Sequence, residues 1–121
     1  MHFVGYRFSD RTHVTVVGAN GDPEDLPLRL DLWNHSPTGF EWGYLGSGPA
    51  QLALAILAQV TGDDIYARAR HQQFKEQVVA RWVGRSWDIS AEEVQAWAAS
   101  HPLPQEERLR WLPRPEQKAW L

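Results

Sequence analysis

The run Gly46-Ser47-Gly48-Pro49-Ala50-Gln51 is the stretch of this sequence best suited to hold a charged group. Glycines let a chain turn sharply into a helix. The amides of a helix's first turn have no partner within it, and their partial positive charge attracts anions. Here the donors would be the amides of Gly48, Ala50 and Gln51, beside the hydroxyl of Ser47, whereas Pro49 offers none. A phosphate suits such a place. No Lys-Ser or Lys-Thr pair follows the glycines, so the turn is not a P-loop. Arg29 could add a guanidinium for phosphate, Asn34 or His35 a hydrogen bond to a base edge or ribose, and Trp42 or Tyr44 a stacking face. These residues, with Gly46, Ser47, Gly48 and Gln51, make up the expected ligand site. The competing reading is conformational: Gly46 and Gly48 permit a tight turn beneath packed aromatics.

Other chemistries are less well provided for. A hydrolase would take Ser47 or Ser36 as nucleophile, His35 as base and Asp31 or Glu41 to orient it. The sequence has no Gly-x-Ser-x-Gly elbow, and Asn34-His35-Ser36-Pro37 reads as a side-chain-stabilised turn. The histidines 2, 13, 35, 71 and 101 stand singly without metal-ligand spacing, so no metal site and no cofactor is expected. His71 reads as a packed helix histidine. A proline-rich tail carries Leu109, Trp111, Leu112, Trp120 and Leu121, a set that would dock on this domain, on a second copy or on a partner protein.

The elements that must position these groups follow from composition and pattern. With 121 residues and 43% hydrophobic content the chain can bury one core, expected over residues 1–101, with residues 102–121 as an extension. The net charge of −3, from 12 basic and 15 acidic side chains, leaves no broad footprint for duplex nucleic acid or an anionic membrane. Cysteine is absent, which excludes disulfides and thiolate chemistry and suits a reducing cytoplasm. Residues 52–60 are far shorter than the about 20 apolar residues of a membrane span, and no signal peptide is evident.

Alternation over residues 3–8 and 13–17, around Ser9-Asp10-Arg11, predicts an antiparallel hairpin. Leu26, Leu28, Leu30 and Leu32 predict a third strand with its leucines on one face, Pro27 lying at its start or on an edge. Residues 40–44 read as strand-like or extended. Pro49 suits a first helical position after an N-cap at Ser47 or Gly48, with Gln51 folding back on the cap. That helix, apolar on nearly every side and stopped by Gly62, belongs between the sheet and later helices. A second helix from residue 63 or 64 to 82 stripes Ala67, His71, Phe74, Val78 and Trp82, leaving Arg68, Gln72, Lys75 and Glu76 opposite. Ser90-Ala91-Glu92-Glu93 opens a third as a capping box, with Val94, Trp97 and Ala98 inward. The fold class is therefore α+β, a small antiparallel sheet of three to four strands packed on about three helices.

Asn34-His35-Ser36-Pro37, Phe40-Glu41-Trp42-Gly43-Tyr44 and Gly46-Ser47-Gly48-Pro49-Ala50-Gln51-Leu52-Ala53-Leu54-Ala55, in that order, resemble an uncharacterised family of short bacterial and phage proteins. The resemblance runs over about residues 6–98 and implies a phage or mobile-element setting, with no assigned activity. The expected function is a non-enzymatic binding protein that holds a phosphate-bearing ligand, such as a host signalling nucleotide, at the Gly46–Gln51 turn. The alternatives are a protein-contact inhibitor of a host defence system such as a nuclease complex, and a small hydrolase. A homo-oligomer is expected in either binding case.

Overall fold

The computed structural model describes residues 1–113. Strands β1 (His2–Phe8) and β2 (Arg11–Val17) form the expected hairpin, closed by Ser9-Asp10 with Ser9 in the left-handed region at φ 56°. A short β3 (Pro23–Asp25) pairs with β2, and β4 (Ser86–Ser90) pairs with β1, all antiparallel, in the order β3-β2-β1-β4. Phe3, Val14, Val16, Trp87 and Ile89 occupy the buried face.

Helix α1 (Ser47–Thr61) is buried continuously from Gly48 to Ala58 and supplies the centre of the core, which joins it to the sheet's inner face and to α2. Gly62 ends it at φ 63°. Asp63 then caps α2 (Asp64–Gln77), its carboxylate accepting from the Tyr66 amide at 3.0 Å. Ala67, His71 and Phe74 face inward as the stripe requires, but α2 stops short of Trp82 and passes into a 3₁₀ turn at Val79–Arg81. Ser90 caps α3 (Ala91–Ala99) by accepting from the Glu93 amide at 3.0 Å. A short α4 (Gln105–Arg110) is tied to α2: Arg70 donates to Glu107 at 2.7 Å, and Arg108 donates to Asp63 at 3.1 Å. Among the described residues no helix is long and apolar enough to cross a membrane.

Three local expectations change. The leucine run is not a strand: β3 ends at Asp25, Pro27 cannot donate to a ladder, and Arg29 adopts φ 59°. Leu26 and Leu32 are buried, Leu28 is half-buried and Leu30 points to solvent, so the alternation marked an irregular segment lying on the core. Residues 40–44 join no strand ladder, and the fourth strand comes from Ser86–Ser90. Finally, α1 begins earlier than expected: Gly46 is the N-cap, without a side-chain cap bond, and Ser47 is the first helical residue. Pro49 then sits third, where its missing amide costs no intrahelical bond, and the ladder opens with the Ala50 amide on the Gly46 carbonyl at 3.2 Å.

The hairpin and β4 meet at a site that tolerates no side chain. A Cβ on Gly5 would lie 2.2 Å from the Trp87 ring, which is itself stacked on Trp82 at 4.1 Å and set edge-on to Trp42 at 5.7 Å. Gly5→Ala is expected to destabilise the protein by roughly 1–3 kcal/mol through overpacking. Gly18→Ala, whose Cβ would meet nothing nearer than 3.6 Å, should be near neutral, and urea denaturation of the two variants makes the comparison.

Candidate functional site

The expected ligand residues divide into two layers joined by one side chain. Gln51 is 0% exposed, and its carboxamide uses its full bonding capacity on the loop of residues 28–36. Its oxygen accepts from the His35 and Ser36 amides at 2.8 and 3.0 Å, and its nitrogen donates to the Leu28 and Trp33 carbonyls at 2.6 and 3.0 Å. It does not fold back on the helix cap. Gln51 is a strut that fixes the loop to α1.

The helix start itself is covered. Gly48 is buried, and a Cβ there would lie 2.5 Å from the Glu41 Cβ. Gly46 lies beneath Tyr44, whose ring a Cβ would meet at 2.2 Å, while Ser47 and Tyr44 face solvent. Trp42 is buried, with its indole nitrogen donating to the Gly84 carbonyl at 3.2 Å and the Arg7 guanidinium 4.5 Å from its ring centroid. Both glycines therefore have a packing role at the turn.

The other expected residues lie on the loop that Gln51 holds. Arg29 donates to Asp31 at 3.0 Å and to Asp64 at 3.2 Å, so its charge is spent within the fold, and the same hydrogen bond holds the Asp31 carboxyl below its usual range. Asn34 is exposed. His35 turns inward to His71, with 2.9 Å between their Nε2 atoms, a pairing that single scattered histidines did not announce. His71 Nδ1 faces the carbonyls of Ala67 and Arg68 at 3.1 and 2.8 Å. It must therefore carry a proton to donate, which leaves His71 Nε2 as acceptor and His35 Nε2–H as donor. Burial, then the neighbouring Lys75 charge, lowers the pKa of His35.

Around this pair the rings form a continuous stack. Trp33 lies on His35 at 4.9 Å and tilts against His71 at 5.3 Å and Trp111 at 6.4 Å. Arg68, expected on the outer side of α2, instead reaches over both indoles, at 5.4 Å from Trp33 and 5.6 Å from Trp111, and donates to the Leu32 carbonyl at 3.2 Å. Trp111 thus turns toward the domain, whereas Leu109 and Leu112 remain exposed at 56% and 45%. Trp120 and Leu121 lie outside the described residues.

The hydrolase arrangement is not assembled. Ser36 Oγ donates to the Gly39 carbonyl at 2.7 Å, His35 faces His71, Asp31 serves Arg29, and Glu41 pairs with Arg7 at 2.7 Å. Among the described residues no group of three or more His, Asp or Glu side chains is placed to hold a metal ion.

A groove of about 570 Å³ opens in front of this region, between the β1–β2 turn and residues 36–41. Asp10, Arg11, Thr12 and His13 line one wall, and Ser36, Thr38 and Glu41 line the other. Thr12 Oγ1 donates to the Phe40 carbonyl at 2.7 Å across the floor. The α1 start stands directly behind it, since Gly48 lies against Glu41 and Gln51 holds Ser36. None of Asp10, Arg11, His13 and Thr38 belonged to the expected site. Their participation depends on which loop the hairpin turn meets, and no local pattern announces that.

Two outcomes follow from the buried polar groups. Gln51→Leu roughly keeps the volume but strips four part-buried backbone groups of their partner, and should destabilise by about 3 kcal/mol, read by urea unfolding. His71, pushed down to about 4 chiefly by burial, is neutral in the fold but protonates near 6.5 when unfolded. The folded state therefore binds fewer protons between these values. The stability contributed by neutral His71 is complete above pH 6.5 and is lost as pH falls to about 4, by roughly 3 kcal/mol in all. Thermal unfolding between pH 8 and 4 should show this slope, and His71→Gln should flatten it.

Comparison with known proteins returns a model described as a family of unknown function (DUF6166), matching residues 3–100. No curated protein and no solved structure matches. The matched span covers the sheet, α1, α2, α3, the paired histidines and the groove, and ends before α4. On that span the chain belongs to the DUF6166 family, a family of unknown function.

Proposed function

We propose that the protein acts by binding rather than by a reaction of its own, and that a small phosphate-bearing ligand seats in the groove between the β1–β2 turn and residues 36–41. The observation that carries this reading is the groove itself. Its volume of about 570 Å³ falls within the range typical of small-molecule sites. Arg11 and His13 offer donors for a phosphate, while Asp10 and the hydroxyls of Thr38 and Ser36 offer acceptors for amino or hydroxyl groups. Glu41, neutralised by Arg7, costs an anion less than a free carboxylate would. The glycine turn acts one layer behind, as the support that places Glu41 and Ser36.

In a phage or mobile-element setting such a protein would sequester a host signalling nucleotide, a task that needs affinity without turnover. A second reading is inhibition of a host protein by contact alone, favoured by the exposed Leu109 and Leu112. A homo-oligomer would use the same surface.

Thermal-shift measurement with inorganic phosphate, purine mono- and diphosphates and cyclic dinucleotides tests the first reading. At ten times its Kd a true ligand stabilises the fold by about 1.4 kcal/mol. Arg11→Glu, at an exposed position, should abolish the shift and leave the free protein's stability unchanged. A shift that survives Arg11→Glu, or no shift with any of these compounds, rejects the groove as a phosphate seat.

A further inference from the structure

The two edges of the sheet are built differently. The β3 edge is three residues long, opens on Pro23, which has no amide to offer, and continues with Glu24 and Asp25. Shortness, proline and charge are the features that discourage pairing with another chain. At the opposite edge β4 has five residues, no proline and no bulge.

The hydrogen-bonding phase of β4 is set by its partner. The Arg7 amide donates to the Arg85 carbonyl at 2.8 Å, and Gly5 and Phe3 stand opposite Trp87 and Ile89. Backbone groups alternate sides along a strand, so those of Trp87 and Ile89 face β1, while those of Ser86, Asp88 and Ser90 face outward. Among the described residues no hydrogen bond reaches the amides or carbonyls of Ser86 and Asp88. Among the described residues β4 pairs with β1 alone, and α3 follows directly from its C-terminal end. The outward row is an incomplete ladder.

We propose that β4 is a docking edge for an extended peptide segment of a partner protein, added as a fifth strand, with a lysine or arginine opposite Asp88 and an apolar residue on each side of it. The carboxylate of Asp88 is exposed at the middle of the strand, and Glu92 and Glu93 follow it, also exposed, so the edge selects a cation. The residues flanking that cation point to the other face of the sheet, beside Trp87, Ile89 and the half-buried Trp82, where apolar side chains continue the core. A second copy is the poorer occupant. The antiparallel register that would pair the whole of one β4 with another sets Ser86 opposite Ser90 and Asp88 opposite Asp88, two like charges in direct register.

The test uses ¹⁵N-labelled protein and a capped heptapeptide, Thr-Thr-Val-Lys-Val-Thr-Thr. Binding with a Kd tighter than about 1 mM is expected, with at least tenfold slower hydrogen exchange at the Ser86 and Asp88 amides. In antiparallel addition the lysine opposite Asp88 turns its amide toward β4, so N-methylation there should abolish binding, whereas N-methylation of the following valine should be tolerated. Replacing the peptide lysine by glutamate should weaken binding at least tenfold, and the protein variant Asp88→Lys, changed at an exposed side chain, should reverse that preference. No binding at about 1 mM, binding without protection of Ser86 and Asp88, or an unchanged preference in Asp88→Lys overturns the proposal. Concentration-dependent protection of the same amides without peptide overturns it in favour of self-pairing.

Discussion

An irregular segment packed onto a core must find partners for backbone groups that no helix or ladder satisfies, and here one side chain supplies them. Residues 28–36 carry the arginine, the asparagine and the histidine that the sequence offers for recognition, yet they form neither strand nor helix. The carboxamide of Gln51 closes four hydrogen bonds to that segment from inside the core. Each of these groups would otherwise be desolvated without compensation, so the loop and α1 form one unit. The placement of His35, Ser36 and the far wall of the groove follows from it.

A second tie runs from the same loop to the helices. His35 donates to His71, and His71 is anchored by the carbonyls of its own helix, so the buried His71 is satisfied without charge. Trp33 covers this pair and meets Trp111, with the Arg68 guanidinium over both indoles. Loop, α2 and the end of α4 are thereby joined by ring stacking and cation–π attraction, reinforced by the ion pairs of Arg70 with Glu107 and Arg108 with Asp63. The side chains that look most like chemistry in the sequence are, for the most part, committed to this framework. The walls of the groove and the outer edge of β4, by contrast, keep polar groups not committed to it.

How much was legible depended on how far apart the interacting residues lie. The hairpin, the all-apolar α1, the stop at Gly62, the inward stripe of α2 and the Ser90 cap could be read from neighbouring residues, because period, capping and left-handed turns are decided within a few positions. The leucine run was misread for a related reason: alternation reports which side chains go inward, and an irregular segment on a core can alternate as well as a strand does. The early start of α1 was hidden because cap preference favours Ser47, while the Gly46 and Gly48 positions are set by the approach of Tyr44 and Glu41.

By itself the sequence determined the class of fold, the buried central helix, the absence of thiol chemistry and the family. Only the tertiary structure decided that Ser86–Ser90 completes the sheet, that His35 meets His71 across 36 positions, that Gln51 serves the loop rather than its own helix, and that the hairpin turn and residues 36–41 enclose a groove. The physical reason is one of range. Local order is written in contacts between residues a turn apart, whereas these pairings depend on which surfaces remain to be covered once α1 has taken the centre of the core.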